Sequence, residues 1–462
     1  MPSPVVTVVG GGLAGVEAAW VCAGNGVQVQ LYEMRPSRKT GAHITDFLAE
    51  LVCSNSFKSN FPNTPIGQLK YEMAQLGSII LEVAADHRVP AGEALAVDRN
   101  LFSEAVTSRI QSHPLINVIR EHCGPEEVKD ALQQGPVIIS TGPLTSPELS
   151  EWLAHITGKD GLYFYDAVSP TLESSSLDFT QIFAASRYGK GDGDDYLNCP
   201  FDRDQYFAFV KELVNAERSL PHGVVAEDES LEKIKYFTGC TPIEAIAETG
   251  EMSLAFGNFK PVGLTNPATG KRPFAALQLR PENREKTLYS LVGCQNRLKW
   301  GEQKRIFRMV PGLENAEFVR FGVIHRNTYL DSPKVLEPTL ELKEIPGIFI
   351  AGQLTGVEGY TESAAMGILA GLSACYYLKN EEIPRPPRQS AYGSLLAHLQ
   401  DQTEREFAPM NINWGLFPNP IEFEKDKSVK HAKQIQLAKE KFLEWHGTLL
   451  KNPKNRAGQL IG

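Results

Sequence analysis

Runs of aliphatic residues without polar alternation recur along the chain. The first is Val5–Val9, and such a run predicts a strand that is buried on both faces of a parallel sheet. A glycine-rich turn at 10–15 follows, then a helix predicted from Val16 to Ala23 and a second strand predicted from Val27 to Tyr32. The pattern predicts one βαβ unit of about thirty residues.

Two later runs predict further strands of the same kind, Pro136–Gly142 and Ile348–Gly352, and the second precedes a helix predicted from Thr361 to Leu378. One sheet therefore draws strands from both ends of the chain. We predict an α/β fold: a discontinuous Rossmann-like domain formed by residues 1–189 and 319–462, with an inserted α/β domain at 190–318. A polar glycine-rich run at 189–195 suggests the first boundary, and 427–445 predicts a charged C-terminal helix.

Composition narrows the classes of protein. The 462 residues are 42 % hydrophobic and 22 % charged, close to the average for globular enzymes, and the net charge is −9. Bulk charge alone therefore cannot support nonspecific nucleic-acid binding, and any contact with RNA or DNA must come from a local basic patch. The seven cysteines are widely spaced, which disfavours disulfide frameworks and zinc sites and suits the cytoplasm. The apolar segment 5–24 carries Glu17 and several glycines, so we expect no membrane span. We also expect no metal site, because the cysteines are widely spaced.

The turn after the first strand carries the motif Gly10-x-Gly12-x-x-Gly15, and Glu33 ends the second strand. In this motif the first glycine makes the tight turn, the second lets the backbone approach a pyrophosphate, and the third lets helix and strand pack closely. An acid at the end of the second strand accepts a hydrogen bond from a ribose hydroxyl. The unit therefore predicts a dinucleotide-binding site.

The strand predicted at Ile348–Gly352 and the helix after it rejoin, late in the chain, the sheet that begins at Val5. This arrangement favours FAD over NAD as the dinucleotide, because a simple NAD dehydrogenase does not need so distant a strand and helix. Segment 352–365 resembles the C-terminal FAD motif of two-part flavoproteins, with Gln353 where the pattern usually has Asp. The helix that follows points its N-terminus at the flavin, where negative charge accumulates on reduction. The predicted FAD-binding residues are Gly10, Gly11, Gly12, Leu13, Ala14, Gly15, Glu33, Arg35, Thr141, Gly142, Gly352, Gln353, Tyr360 and Thr361.

Three segments, 50–59, 239–244 and 352–363, resemble the bacterial folate- and FAD-dependent tRNA (uracil-54, C5) methyltransferases, and the resemblance covers nearly the whole chain. It implies that 5,10-methylenetetrahydrofolate supplies a one-carbon unit to C5 of uridine 54, and that NAD(P)H reduces the FAD. A larger flavoprotein that modifies tRNA to carboxymethylaminomethyluridine shares the glycine motif, but it has an additional C-terminal helical domain.

The implied chemistry needs a nucleophile on uracil C6 and a base for the C5 proton, and a thiolate suits the first task. By resemblance Cys53 is the nucleophile and Cys240 its partner in proton transfer, although the sequence leaves that order open. Resemblance also has Tyr360 stacking on the flavin ring. We assign the other five cysteines to packing: Cys22, Cys123, Cys199, Cys294 and Cys375.

The expected partner is tRNA. Segment 271–308 holds ten Lys and Arg against three acids, interleaved with Tyr289, Trp300 and Phe307, a mixture that suits phosphate contact and base stacking. The alternative interpretation of the same charges is a solvated, salt-bridged face. We expect no DNA, no membrane and no obligate protein partner. The alternatives are the same chemistry on ribosomal RNA, a small-molecule FAD oxidoreductase, and a non-catalytic RNA-binding flavoprotein.

Overall fold

The structure, a computed structural model, describes residues 4–40, 42–158, 162–167, 169–189, 193–219, 241–322, 324–402, 407–419 and 426–450. Within these ranges the strands are β1 (Val5–Val9), β2 (Gln28–Tyr32), β3 (Ser56–Ser59), β4 (Arg88–Val89), β5 (Ala94–Val97), β6 (Ile116–Ile119), β7 (Val137–Ile139), β8 (Leu162–Ala167), β9 (Thr171–Glu173), β10 (Phe183–Ala184), β11 (Leu197–Phe201), β12 (Ala275–Pro281), β13 (Leu288–Leu291), β14 (Phe318–Arg320), β15 (Ile324–Tyr329) and β16 (Ile348–Ile350).

The helices in the same ranges are α1 (Leu13–Gly24), α2 (Pro65–Gln75), α3 (Ile79–Asp86), α4 (Arg99–Ser112), α5 (Pro125–Leu132), α6 (Pro147–Thr157), α7 (Arg203–Asn215), α8 (Ile243–Glu248), α9 (Ser253–Phe256), α10 (Trp300–Phe307), α11 (Ser332–Val335), α12 (Tyr360–Leu378), α13 (Ala391–Leu399) and α14 (Lys427–Leu450). None of them is long and apolar enough to cross a bilayer.

The first sheet is parallel and has the strand order β16-β7-β1-β2-β6. Its central strand β1 starts the chain, and its edge strand β16 comes some 340 residues later, as the aliphatic runs predict. Helices α1 and α12 pack against each other closely, because a side chain at Gly367 or Gly371 would collide with the α1 backbone at Ala14 or Ala18. The predicted α/β, Rossmann-like, discontinuous fold is confirmed.

The second sheet has the order β10-β11-β12-β13-β9-β14, and its neighbouring strands pair antiparallel. It has its own core, in which Phe201, Phe209 and Phe307 are at most 1 % exposed. We call the residues from β9 to β14 the inserted domain. Strands β9 and β10 precede residue 190, so the boundary predicted there falls inside this sheet: the polar run at 189–195 lies between β10 and β11 in the sequence. An antiparallel pair, β8 with β15, joins the two sheets.

Candidate flavin and cysteine site

The turn between β1 and α1 forms one wall of an open cavity, whose empty space, counted together with the solvent at its mouth, is about 1070 Å³. Gly10 has φ of +103°, a left-handed conformation that glycine adopts without strain. Ser140, just beyond β7, anchors this turn by donating its hydroxyl to the carbonyls of Val9 at 2.9 Å and Gly10 at 3.0 Å. The motif therefore sits where the ends of β1 and β7 open into the cavity.

Gly12 and Gly15 differ in what a side chain would meet. A Cβ at Gly15 would collide with the Gly10 carbonyl, whereas a Cβ at Gly12 would meet no protein atom within 4 Å and would project into free space at the start of α1. Of these two positions, packing therefore requires glycine at 15 and not at 12. The first N–H groups of α1 have no partner within the helix and, with the helix dipole, favour an anion at this position. This is the space that a pyrophosphate needs.

Glu33, at the end of β2, belongs to a buried ion-pair network. Its carboxylate accepts hydrogen bonds from the Gly11 N–H at 3.1 Å and from the Arg35 guanidinium at 2.9 and 3.0 Å. Arg35, only 2 % exposed, also pairs with Glu50 at 2.9 Å. Burial raises the pKa of Glu33, but the hydrogen bonds and charge of Arg35 outweigh it and lower the pKa overall. Glu33 is therefore held ionised at the cavity wall.

The cavity brings together most of the predicted FAD-binding residues. Those that line it are Gly10, Gly11, Gly12, Leu13, Ala14, Glu33, Arg35, Thr141, Gly142, Gly352, Gln353 and Tyr360. Gly15 and Thr361 do not line it: Gly15 packs α1 on the turn, and the Thr361 hydroxyl donates to the Phe57 carbonyl at 3.3 Å. Gln353 lies at the cavity with its amide donating to Glu358 at 2.6 Å.

The cavity also contains side chains that sequence reasoning missed, among them Thr40, His43 and Glu50. Burial and the charge of Arg35 lower the pKa of His43 to about 4, so its ring is neutral near pH 7. Thr40 and His43 lie between β2 and β3 in a segment without a recognisable motif. Glu50 begins segment 50–59, which carries the family resemblance, but nothing in that segment indicates that Glu50 lines a cofactor cavity. Three features of the site together fit FAD: the cavity itself, the open space at Gly12 and the ionised acid at the end of β2.

Cys53 lies half-buried in a segment whose backbone is held by three distant side chains. The Tyr360 hydroxyl accepts hydrogen bonds from the N–H groups of Cys53 at 2.7 Å and Ser54 at 3.1 Å. Arg99 donates to the Leu51 carbonyl at 2.7 Å, and Arg320 donates to the Val52 carbonyl. Each backbone position from 51 to 54 thus has a side-chain partner. We call residues 51–54 the cysteine segment.

Two of these contacts connect the cysteine segment to the inserted domain. Arg320 ends β14, and Arg99 pairs with Glu282, which follows β12, at 2.7 Å. Both guanidiniums also lie near the Cys53 side chain. Lys58, five residues after Cys53 in the chain, pairs with Glu362 at 3.6 Å.

Cys240, the other predicted catalytic cysteine, lies outside the described residues. The five cysteines assigned to packing are all buried, and Cys123 lies on the wall of the cavity.

The basic segment 271–308 is more neutral in space than in sequence. Lys299 pairs with Glu217 at 2.6 Å, Arg305 with Glu212 at 2.5 Å, and Arg308 with Glu317 at 3.1 Å. These three acids all lie outside the segment. Lys304 has no ion pair within the described ranges. Of the three aromatic residues, Tyr289 and Phe307 are buried, and Trp300 is 62 % exposed.

Comparison with known proteins identifies the family and its similar members. Residues 5–382 match the family described as glucose inhibited division protein A. The chain is 53 % identical over 420 residues to "Methylenetetrahydrofolate--tRNA-(uracil-5-)-methyltransferase TrmFO" of Moorella thermoacetica, covering 91 % of this chain and 93 % of that one. It is 50 % identical over 444 residues to the protein of the same name from Geobacter sulfurreducens, covering 96 % and 99 %.

Among solved structures, GidA of Aquifex aeolicus in its form I crystal superposes with a TM-score of 0.65 at 16 % identity, covering 97 % of this chain and 78 % of that one. This likeness shows a shared fold. The family match and the near-complete relatives go further: the chain belongs to the glucose inhibited division protein A family of flavoproteins.

Proposed function

We propose that this chain is a cytoplasmic methyltransferase that uses 5,10-methylenetetrahydrofolate, FAD and NAD(P)H to methylate C5 of uridine 54 in the T-loop of tRNA. The observation that carries the proposal is the identity of 53 % and 50 %, over 91 % and 96 % of this chain, to two proteins named as folate-dependent tRNA uracil-5-methyltransferases. The cavity and the neighbouring cysteine segment supply the groups that this reaction needs.

The residues at the start of α1 would hold the pyrophosphate of FAD. Gly12 leaves the space, the first N–H groups of α1 would donate to the phosphates, and Glu33 would accept a hydrogen bond from a ribose hydroxyl. Thr141, Gly142, Gly352 and Gln353 line the rest of the cavity. When bound, FAD supplies the electrons that bring the one-carbon unit from the methylene to the methyl level, and NAD(P)H replaces those electrons.

Cys53 provides the nucleophile. Its thiolate sulfur forms a bond to C6 of the uracil, the C5–C6 double bond opens, and C5 becomes electron-rich. C5 then forms a bond to the one-carbon unit as the bond between that unit and tetrahydrofolate breaks, and tetrahydrofolate is the leaving group. A base then removes the C5 proton, and the thiolate leaves C6 so that the double bond returns. Tyr360, Arg99 and Arg320 orient Cys53 by holding the backbone on both sides of its Cα. We assign the proton transfer to Cys240.

Reconstitution tests this proposal. Purified protein is incubated with isotope-labelled methylenetetrahydrofolate and with NADPH or NADH. The RNA is a tRNA transcript, the same transcript with uridine 54 replaced by cytidine, or ribosomal RNA. Labelled nucleosides are then mapped by mass spectrometry. The proposal expects label only in 5-methyluridine at position 54 of the unaltered tRNA. Label in ribosomal RNA alone would show that ribosomal RNA, and not tRNA, is the substrate. NAD(P)H oxidation with no labelled RNA would indicate a small-molecule oxidoreductase.

A further inference from the structure

Aromatic rings lead from the core of the inserted domain to its surface. Phe307, 0 % exposed, contacts Phe318 with ring centroids 6.5 Å apart. Phe318 stacks on Phe321 at 5.3 Å with 6° between the ring planes, and Phe321 stacks on Trp300 at 5.2 Å with 11°. We call Phe318, Phe321 and Trp300 the aromatic stack. Its outer member, Trp300, is 62 % exposed.

Arg320 connects the aromatic stack to the cysteine segment. Arg320, which donates to the Val52 carbonyl, directly precedes Phe321 in the chain. Consecutive Cα atoms are 3.8 Å apart. Phe321, a member of the stack, is therefore one Cα–Cα step from Arg320, the residue that contacts Val52 beside Cys53. A nucleotide resting on the stack would therefore be close along the RNA to a uridine at Cys53.

A cation accompanies the rings. The Lys304 Nζ lies 5.8 Å from the centroid of the Phe321 ring, and within the described ranges Lys304 forms no ion pair. Its neighbours Lys299 and Arg305 are both paired with glutamates. A single exposed aromatic residue needs no explanation. Parallel rings beside an unpaired cation are what single-stranded RNA sites use, since bases stack on the rings while cations neutralise phosphates.

We propose that Trp300 extends the aromatic stack with one base of the RNA, from a nucleotide that flanks the target uridine in its single-stranded loop, while Lys304 contacts a phosphate of that loop. This inference rests on the proposed function, because it takes RNA as the substrate and Cys53 as the position of the target. It adds a base-stacking contact on the inserted domain, about which the names of the relatives say nothing.

The test compares Trp300→Ala and Trp300→Phe with wild type in the full-length flavoprotein. The RNA is a T-loop stem-loop carrying 2-aminopurine at one loop position next to uridine 54, and a fully paired duplex of equal length serves as the second probe. We expect Trp300→Ala to bind the stem-loop about tenfold more weakly and to lose the quenching of 2-aminopurine, with duplex binding unchanged. Trp300→Phe, which keeps a ring, should retain most of both signals.

Phe256→Ala is the matched control, because Phe256 is 77 % exposed on the same domain and lies outside the aromatic stack. It should match wild type. Retained flavin absorbance and an unchanged melting temperature show that each variant folds. Equal stem-loop affinity and quenching in Trp300→Ala and wild type would overturn the inference, as would an equal loss for stem-loop and duplex. Since binding is measured without folate or NAD(P)H, a failed methylation assay would contradict the proposed function and leave this result standing.

Discussion

The hydroxyl of Tyr360, at the start of α12, accepts a hydrogen bond of 2.7 Å from the backbone N–H of Cys53, 307 residues away in sequence. Tyr360 also lines the flavin cavity. One side chain thus links the cofactor site to the cysteine segment. The sequence prediction gave Tyr360 a role in stacking on the flavin, and the structure adds a role for its hydroxyl.

Replacing Tyr360 by Phe should separate these two roles. The ring and its contact with Phe57 remain, so flavin content should stay at the wild-type level. The N–H groups of Cys53 and Ser54 lose their acceptor, and we expect the methylation rate to fall about tenfold because the cysteine segment is less well positioned. The measurements are flavin absorbance and single-turnover methylation. Tyr377→Phe, on the exposed side of α12, is the control, and equal rates for both variants would contradict the role given to the hydroxyl.

The space at Gly12 makes a second prediction. Gly12→Val should fold with a normal far-ultraviolet circular dichroism spectrum, because its Cβ would meet no protein atom within 4 Å, and yet it should be purified without flavin. Gly24→Val, at the other end of α1 and equally free of neighbours, should keep stoichiometric FAD. Flavin retained by Gly12→Val would mean that the pyrophosphate lies elsewhere.

Two lysines of the basic segment should differ in their effect on RNA binding. Lys304 has no ion pair within the described ranges, whereas Lys299 pairs with Glu217. Lys304→Ala should weaken binding and reduce the slope of log affinity against log salt by about 0.7 to 0.9, the value for one phosphate contact. Lys299→Ala should change little. A salt titration measures both slopes, and identical slopes for the two variants and wild type would show that the RNA is held elsewhere.

The flavin half of the site could be predicted from sequence because its signals are local. The glycine turn, the strand before it and Glu33 lie within one βαβ unit, where spacing fixes geometry. What sequence could not predict is which partner each charge finds. Arg35 was assigned to FAD, but its guanidinium is shared between Glu33 and Glu50, a buried arrangement that no spacing rule indicates.

The cysteine segment and the basic segment show the same limit at longer range. Arg99 and Arg320 reach positions 51 and 52 only because α4 and β14 converge there. The local excess of positive charge at 271–308 looked like an RNA surface, yet Glu212, Glu217 and Glu317 neutralise part of it from outside the segment. Charge counted along the chain overlooks such acids, since only the fold brings them close.

Glu17 predicts how stability depends on pH. It is fully buried in α1 and accepts hydrogen bonds from Ser78 and from the N–H groups that begin α3. Burial, which outweighs these hydrogen bonds, raises its pKa from 4.5 to about 8. Between these values the folded chain holds a proton that the unfolded chain has released, so this contribution to the free energy of unfolding falls as pH rises, by at most about 1.4 kcal/mol per pH unit.

Glu17→Gln removes this titration. Between pH 5 and 8 the free energy of unfolding of wild type should fall relative to that of the variant, as measured by urea denaturation at each pH. Glu82→Gln, on the exposed side of α3, should keep the wild-type pH dependence. A constant difference between Glu17→Gln and wild type across this range would show that Glu17 does not titrate there.

In the proposed mechanism, the Cys53 thiolate adds to C6 of the target uracil. The most direct test is to incubate the flavoprotein, with folate and NADPH, with tRNA carrying 5-fluorouridine at position 54, whose fluorine prevents the loss of a C5 proton and traps the adduct. We expect a covalent protein–RNA complex that peptide mass mapping places on Cys53. Cys53→Ala should form none while keeping its FAD. A stable complex formed by Cys53→Ala, or full methylation of ordinary tRNA by that variant, would show that Cys53 is not the nucleophile.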